Sequence, residues 1–497
     1  MARRAHDSAW PVRSEAGAAL PRLSARAAAP LAALLLATSC TLGPKYERPE
    51  MEPPPAHRGA QAESESIADV PWWEVFLDPT LQDLIREALA NNLDLRVAAA
   101  RVEEVRALAG IPKSFLYPEV NVTGAYSVGQ LSTRSDPPQA TEGGDRRYQN
   151  WNAGFALSWE IDIFGRLRRE TEAANARYMA TEEFRRGVIV TLVADVAASY
   201  FALRDRDLQL EIARRTVQAN DDTVAFYRKR LQGGVSNRLE LDQAVANRAR
   251  TATTIPQLEL QIAVAENALS LLLGRRPGEI ARGVALTDQY RPPRVPAGLP
   301  AALLERRPDV VQAEQSLVAA NADIGAAKAL FFPTISLTGF LGASSRSLSD
   351  MLKSDGVVWS LTPGLFQPLF QAGRIRRNYE AAQARFDQAL AQYQQAALNS
   401  YREVADALAA IGHLAQARSE QESGVEALRD AGVLARSRYD TGLSNYLEIL
   451  IADQNLFDQE LALARILGDE LSALTQLYRA LGGGWRPEEA TDGGTEH

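Results

Sequence analysis

A single cysteine, Cys40, in 497 residues rules out any disulfide within the chain. Histidine is nearly as scarce: His6, His57, His413 and His497 lie far apart and show no metal-ligand spacing. There is no phosphate-cradling Walker loop, no dinucleotide fingerprint and no nucleophile elbow, and no carboxylate pair stands out from the scattered acidic residues. These absences argue against an enzyme and against a bound cofactor or metal. The formal net charge of −8 leaves no basic footprint, which argues against nucleic acid as a partner. Proline is missing from Arg166 to Gln232 and again from Arg374 to Thr441, so nothing in either stretch interrupts a helix. What is present is ordinary for a folded chain, with 46% apolar and 23% charged residues. The length allows several domains or one elongated one.

The N-terminus is the first informative segment. Arg22 and Arg26 precede "AAAPLAALLLATSC", whose apolar part of about eleven residues suits a signal peptide and falls short of the ~20 that a spanning helix needs. Two readings follow: an ordinary signal with a chance cysteine, or a lipoprotein signal over residues 1–39 that leaves Cys40 as the lipidated first residue. "LATSC" resembles the lipobox, with Ala37 where Leu is more usual, and the place of the sole cysteine favours the second reading. Residues 40–79, rich in Pro and polar side chains, then read as a lipid-anchored extended tether.

Beyond it the chain is duplicated. "LDLRVAAARVEEVRALAGIPKSFLYPEVNVTG" (93–124) lies over "PDVVQAEQSLVAANADIGAAKALFFPTISLTG" (308–339) without a gap, a shift of 215. Farther on, "FGRLRRETEAANARY" (164–178) matches "AGRIRRNYEAAQARF" (372–386) at a shift of 208. The same 208 relates Arg230 to Arg438, Gly234 to Gly442, Asn237 to Asn445 and Gly274 to Gly482. One constant shift over a hundred residues makes two copies of one unit, placed at about 80–290 and 301–482, with residues 483–497 as a tail.

Each copy contains a strand pair, at about 118–163 and 333–370. "EVNVTGAYSVG" puts Val120, Val122, Tyr126 and Val128 on one face, and Asn121, Thr123 and Ser127 on the other. In "NWNAGFALSWEIDIF" the apolar face is Trp151, Phe155, Leu157, Trp159, Ile161 and Ile163. These are either hairpins lying on a soluble core or tilted transmembrane strands; their aromatic content favours the membrane. The long helices follow at 166–232 and 374–441, then return helices at 237–273 and 445–481. Tyr379, Phe386, Tyr393, Ser400, Ala407 and Leu414 recur every seven residues, as do Leu390, Ala397, Val404 and Ile411, a coiled-coil-like seam. A 67-residue helix is about 100 Å long, matching a shorter one over 80–110 laid end to end with 237–273. The first short helix should end near Pro112, and Pro256 should bend the return helix. The loop-like joints between copies and the tail should form a collar at mid-height.

At this point the chain resembles the TolC-like outer-membrane efflux channels, in their NodT-type lipoprotein subgroup. The matching stretches are "CTLGPKYERP", "PWWEVFLDPTLQDLIREALANNLDL", "LSWEIDIFGRLRR", "QPLFQAGRIRRNYEAAQARF", "RYDTGLSNYLE" and "ALGGGW", spanning residues 40–485. The resemblance implies a mainly α fold with a β-barrel part. It implies four transmembrane strands per duplicated protomer and a homotrimer whose 12-stranded barrel, set in outer-membrane lipid, continues into a periplasmic α-helical barrel. It also implies a passive exit duct for drugs or other small molecules, docked to a periplasmic adaptor (a membrane fusion protein) and an inner-membrane RND-type pump. Strand counting agrees that four strands cannot close a barrel; two subunits would give eight strands and three would give twelve, with room for a pore. The alternative function is a lipid-anchored periplasmic coiled-coil scaffold or adhesin without a pore.

Candidate site residues follow from the duplicated turns. Gly233, Gly234, Ser236 and Asn237, with Thr441, Gly442, Ser444 and Asn445, lie at the far ends of the long helices and are the expected adaptor contacts. Asn237-x-x-Glu240 and Asn445-x-x-Glu448 resemble capping boxes. Just above the second turn, Tyr439, Leu447, Ile451 and Glu448 are the gate candidates. The resemblance implies an acidic residue where this chain has Ile451 and a basic one where it has Gln454. The expectation is therefore an apolar constriction by Leu447 and Ile451 across three subunits, with Tyr439 bonding between helices and Glu448 a cap rather than a gate. Ordinary packing by Leu447 and Ile451 is the competing explanation. Asp453 points away from Ile451 and is a weak substitute for the missing carboxylate.

Overall fold

The computed structural model describes residues 41–57, 75–132, 147–291, 300–351 and 353–483. Cys40, the signal segment and the tail beyond Gly483 lie outside the described residues. The elements, in chain order, are α1 (Pro79–Asn91), α2 (Leu93–Ser114), β1 (Glu119–Gln130), β2 (Arg147–Ile161), α3 (Arg166–Gln232) and α4 (Arg238–Leu272). They continue with α5 (Pro300–Arg306), α6 (Pro308–Ala329), β3 (Thr334–Ser345), β4 (Val357–Phe366), α7 (Arg374–Asp440) and α8 (Tyr446–Ala480). Two compact units result, and they cut across the two sequence copies. One holds the described residues of 119–166 and 332–367 together with Thr41 and Leu42, and the other holds nearly all the helices. The reason is that each copy contributes a hairpin to one shared sheet and helices to one shared bundle.

The sheet has the order β1-β2-β3-β4, antiparallel throughout. Its register gathers the apolar positions into rows. Val122 faces Phe155, Phe155 faces Leu341, and Leu341 faces Trp359. The next rows on that face are Val120–Leu157–Gly339–Leu361 and Ile161–Ile335–Leu365. The opposite face carries Glu119–Ser158–Thr338–Thr362 and Asn121–Ala156–Phe340–Ser360. Directly opposed residues share a face, so a one-residue slip would invert every row. Gly154 and Gly342 face each other so closely that a Cβ on Gly154 would sit 2.6 Å from the Gly342 Cα, and the Phe340 ring covers the pair. Val122, Trp359 and Leu365 are largely exposed. An apolar band of this extent on a two-faced sheet is what a bilayer covers. At its base Leu42 donates its N–H to the Phe164 carbonyl at 3.3 Å, and Phe164 stacks on Phe332.

In the helical unit, the duplication is preserved residue for residue: α3 and α7 each have 67 residues, α4 and α8 each 35, and α2 and α6 each 22. The heptad seam of α7 is buried at Tyr393, Ser400, Ala407, Ala397 and Val404, and half-buried toward its ends. The first short helix differs from expectation. It is two helices, broken at Asn92, and the second runs through Pro112 to Ser114. Asn92 makes the break because its side chain caps α2 by accepting from Leu95 N–H (2.9 Å) while donating to the Leu272 carbonyl (2.9 Å). Pro112 sits in the final turn of this helix. The second copy has the same joint: Arg307, 215 residues after Asn92, donates to the Ala480 carbonyl at 2.9 Å. Helix α4 is continuous across Pro256.

The segment read as a tether is pinned over its described part. Pro44 carbonyl accepts from Arg169 and Asn321, both at 3.2 Å, and Gly43 lies against Gly325. Tyr46 hydroxyl (3.1 Å) and the Arg48 guanidinium both donate to the buried Glu314 carboxylate, and Tyr46 and Met51 pack beside Val310, Leu317 and Tyr393. Pro and polar content predict solvation, but a buried carboxylate on α6 requires these partners.

Candidate docking and gating site

Both long helices end in the same six-residue device. In the first, Val235 N–H reaches Arg230 carbonyl (3.0 Å) and Gly234 N–H reaches Leu231 carbonyl (3.1 Å). In the second, Leu443 N–H reaches Arg438 carbonyl (2.8 Å) and Gly442 N–H reaches Tyr439 carbonyl (2.9 Å). This is the Schellman closure, and it needs a left-handed residue, supplied by Gly234 (φ 72°) and Gly442 (φ 76°). Asn237 then caps α4 by accepting from Glu240 N–H at 2.9 Å, and Asn445 caps α8 by accepting from Leu447 N–H at 3.1 Å.

The expected capping boxes are only half made, because both glutamate side chains are drawn elsewhere. Glu240 accepts from Ser236 Oγ, and Glu448 accepts from Arg438 Nε at 3.3 Å. Glu448 is therefore an ion-pair partner rather than a reciprocal cap. Gly233 and Thr441 complete the helix ends through bonds to Lys229 and Ser437 carbonyls (3.0 and 3.2 Å), and Ser444 Oγ is buried with no partner among the described residues.

Above the turns an aromatic cluster joins three helices. Tyr227 of α3 lies 4.5 Å from Tyr446 of α8 and 6.0 Å from Tyr439 of α7, between ring centroids. Burial, with the Asp453 carboxylate nearby, pushes the Tyr446 phenol up to about 12. Burial and the Tyr439 hydroxyl push Tyr227 higher still. The Arg230 guanidinium lies over both the Phe226 and Tyr439 rings, 5.5 and 5.3 Å from their centroids. Leu447 and Ile451, one turn apart on α8, are 47% and 50% exposed. Asp453 instead turns to Arg436 of α7 at 2.5 Å, its carboxyl raised by burial and partly held down by that guanidinium.

Sequence reasoning missed the polar chain behind these residues. Gln454 of α8 donates to Asn247 of α4 (3.0 Å), Asn247 donates to Asn220 of α3 (3.2 Å), and Asn220 donates to Thr251 (3.2 Å). Asn220, Asn247 and Thr251 are all buried. Their signal was present, as polar residues on the otherwise apolar inward stripes of α3 and α4.

A second missed centre is Asp78, almost fully buried. Its Oδ1 accepts from Thr80 N–H (2.9 Å) and Leu81 N–H (3.4 Å), capping α1. Its Oδ2 accepts from Tyr200 hydroxyl (2.8 Å), Val284 N–H (3.1 Å) and Gln289 Nε2 (2.8 Å). Gly283 N–H in turn donates to Tyr200 hydroxyl at 2.9 Å. The loop joining the two copies is thereby tied to α1 and α3. The dipeptide Asp78-Pro79, an N-cap before a Pro at the first helical position, was the available clue.

Among the described residues no cluster of His, Cys, Asp and Glu could hold a metal ion. A two-faced antiparallel sheet with a bilayer-suited band, plus paired 67-residue helices with duplicated turns, defines an outer-membrane channel subunit. The chain belongs to the outer membrane efflux protein family, whose model matches residues 84–275 and 299–483. It is 36% identical to the cation efflux system protein CusC of Escherichia coli O6:H1 over 462 residues, 92% of this chain and 98% of that one. It is also 36% identical to the solvent efflux pump outer membrane protein SrpC of Pseudomonas putida over 469 residues, with the same shares covered. The structure of the outer-membrane channel OprN matches with a TM-score of 0.84 at 31% identity, covering 90% of this chain and all of that one. The protein is the outer-membrane component of an efflux system.

Proposed function

We propose that this chain works as a homotrimer, three sheets closing a 12-stranded barrel and the helical units forming the periplasmic part of a passive duct. The observation that carries the trimer is an asymmetry between matched copies. Of 22 residues each, α6 buries twelve and α2 buries three; of 35 each, α8 buries sixteen and α4 six. Part of the cover on α6 is the chain's own segment around Gly43–Met51, whereas α2 and α4 are left without a neighbour. The uncovered side of the first copy carries Leu260, Val264 and Leu271 on α4, and Val97, Leu108 and Ile111 on α2. Strands β1 and β4 likewise each have one unpaired edge, which a soluble monomer would blunt. A second copy beside the first supplies both missing partners, and three copies leave a pore.

In this reading Cys40 carries acyl chains as a second membrane anchor. The turns at Gly233–Asn237 and Thr441–Asn445 meet the helical hairpins of a periplasmic adaptor, which joins the duct to an inner-membrane pump. Leu447 and Ile451 close the resting pore, with Tyr439 holding α7 to α3. The cargo is chosen by the pump, consistent with one relative being named for cations and another for solvents. Purified protein should migrate as a heat-sensitive trimer whose low resting conductance across a planar bilayer rises when the closure is removed. A protein that stays monomeric under the same conditions would overturn the trimer.

A further inference from the structure

The duplicated tips share a backbone but not a charge. Residues 226–245 carry four basic and two acidic side chains, while their counterparts 434–453 carry two basic and three acidic. The pairing explains what this difference does. At the second tip each arginine is neutralised within the chain: Arg436 by Asp453 at 2.5 Å, and Arg438 by Glu448 at 3.3 Å. At the first tip the residue equivalent to Asp453 is Val245, so Arg228, the counterpart of Arg436, has lost its carboxylate. Lys229 stands where the second tip has Ser437, adding a second cation. Glu240, the counterpart of Glu448, is engaged by Ser236, and Arg230 is held over the Phe226 and Tyr439 rings. Arg238 is answered by Asp242 at 3.0 Å. Arg228 and Lys229 are therefore exposed cations with no carboxylate in ion-pair range among the described residues, close to the exposed apolar Val235 and Leu239.

We infer that the first tip is a docking surface for an acidic helical hairpin, with Arg228 and Lys229 as its electrostatic anchors, whereas the second tip binds through shape and apolar contact. This rests on the proposal that both tips meet adaptor hairpins, and it assigns the chemistry of one of them. A partner carrying carboxylates beside its turn lands on the first tip in preference to the second, so a duplicated surface is read in two distinguishable ways. The second tip, with one more acidic than basic side chain and with Leu443 and Leu447 exposed, offers the same partner no counter-charge. Exposed pairs steer and discriminate more than they hold, so the expected effect is modest and salt-dependent.

The test uses the full-length trimer and two synthetic helix-turn-helix coiled coils that differ only in having Glu or Gln flanking the turn. Ser236→Cys and Ser444→Cys trimers carry a photo-crosslinker. At about 0.01 M salt, where charges act over ~30 Å, Ser236→Cys should capture the Glu hairpin about three- to tenfold better than the Gln hairpin. At about 1 M salt, where the range falls to ~3 Å, that preference should vanish. Ser444→Cys should show no preference for the Glu hairpin at either concentration. Arg228→Gln with Lys229→Gln should abolish the preference, and so should Val245→Asp, which gives Arg228 the internal partner that Arg436 has. Equal capture of both hairpins at both tips would overturn the charge assignment while leaving docking intact. Capture at neither tip would overturn docking itself, and this inference with it.

Discussion

Replacing Asp78 by Asn changes one atom and should open the loop that joins the two copies. All five partners of this carboxylate are donors: Thr80 and Leu81 N–H on Oδ1, and Tyr200 hydroxyl, Val284 N–H and Gln289 Nε2 on Oδ2. An asparagine has one acceptor oxygen and one NH₂ group, so one set of donors must face another donor. The cheaper orientation keeps the three partners of Oδ2 and gives up the helix cap. Losing a cap costs about 1 kcal/mol, and leaving a buried donor unmatched costs about 1–3 kcal/mol. Loss of the charge weakens the three bonds that remain, since charge-assisted bonds are about twice as strong as neutral ones. The total is on the order of 3 kcal/mol, or roughly two orders of magnitude in the local opening equilibrium.

Hydrogen exchange reads this directly. The Gly283 and Val284 amides, whose acceptors are Tyr200 hydroxyl and Asp78 itself, should exchange about a hundredfold faster in the Asn variant, while amides in the middle of α7 should not change. Tyr200→Phe should speed the same two amides by about tenfold, because it removes one donor to Asp78 and the acceptor of Gly283. Unchanged exchange at both amides in the Asn variant would refute the claim that this loop is held through a carboxylate that only accepts.

The gate and the N-terminal segment give the remaining predictions. Leu447→Ala with Ile451→Ala should raise the resting conductance of the isolated trimer; a double variant as tightly closed as the parent, with trimer stability intact, places the gate elsewhere. Glu314→Ala should release the segment around Tyr46 and Arg48, and trypsin should then cut after Lys45 in the folded trimer roughly ten times faster, reflecting about 1–2 kcal/mol lost with a part-exposed arginine. No gain in cleavage would mean that packing of Tyr46 and Met51 alone holds it.

Periodicity and duplication made the large elements legible because both are properties of spacing. A shift of 208 that carries Arg166–Gln232 onto Arg374–Asp440 also requires one backbone for both, and alternation sorts Val122, Phe155 and Trp359 onto one face before any pairing is known. What spacing cannot report is where a side chain finds its partner across the chain. Asp78 meets Val284 and Gln289 from more than two hundred residues away, and Glu314 meets Arg48 from 266 away. Locally Asp78 reads as a helix cap, and Glu314 as one more surface charge. The same limit made the capping boxes half wrong: Asn237 and Asn445 cap as their sequence says, but Glu240 and Glu448 sit beside stronger partners. Duplication supplies the missing leverage only by difference. Where two copies agree, as in the paired Schellman turns, the residue is explained by the backbone. Where they disagree, as at Val245 and Asp453 or at α2 and α6, the backbone is held constant and the side chain's surroundings must account for the change. Each such pair is a comparison the chain carries within itself, and it is there that a missing neighbour or an unpaired charge becomes visible.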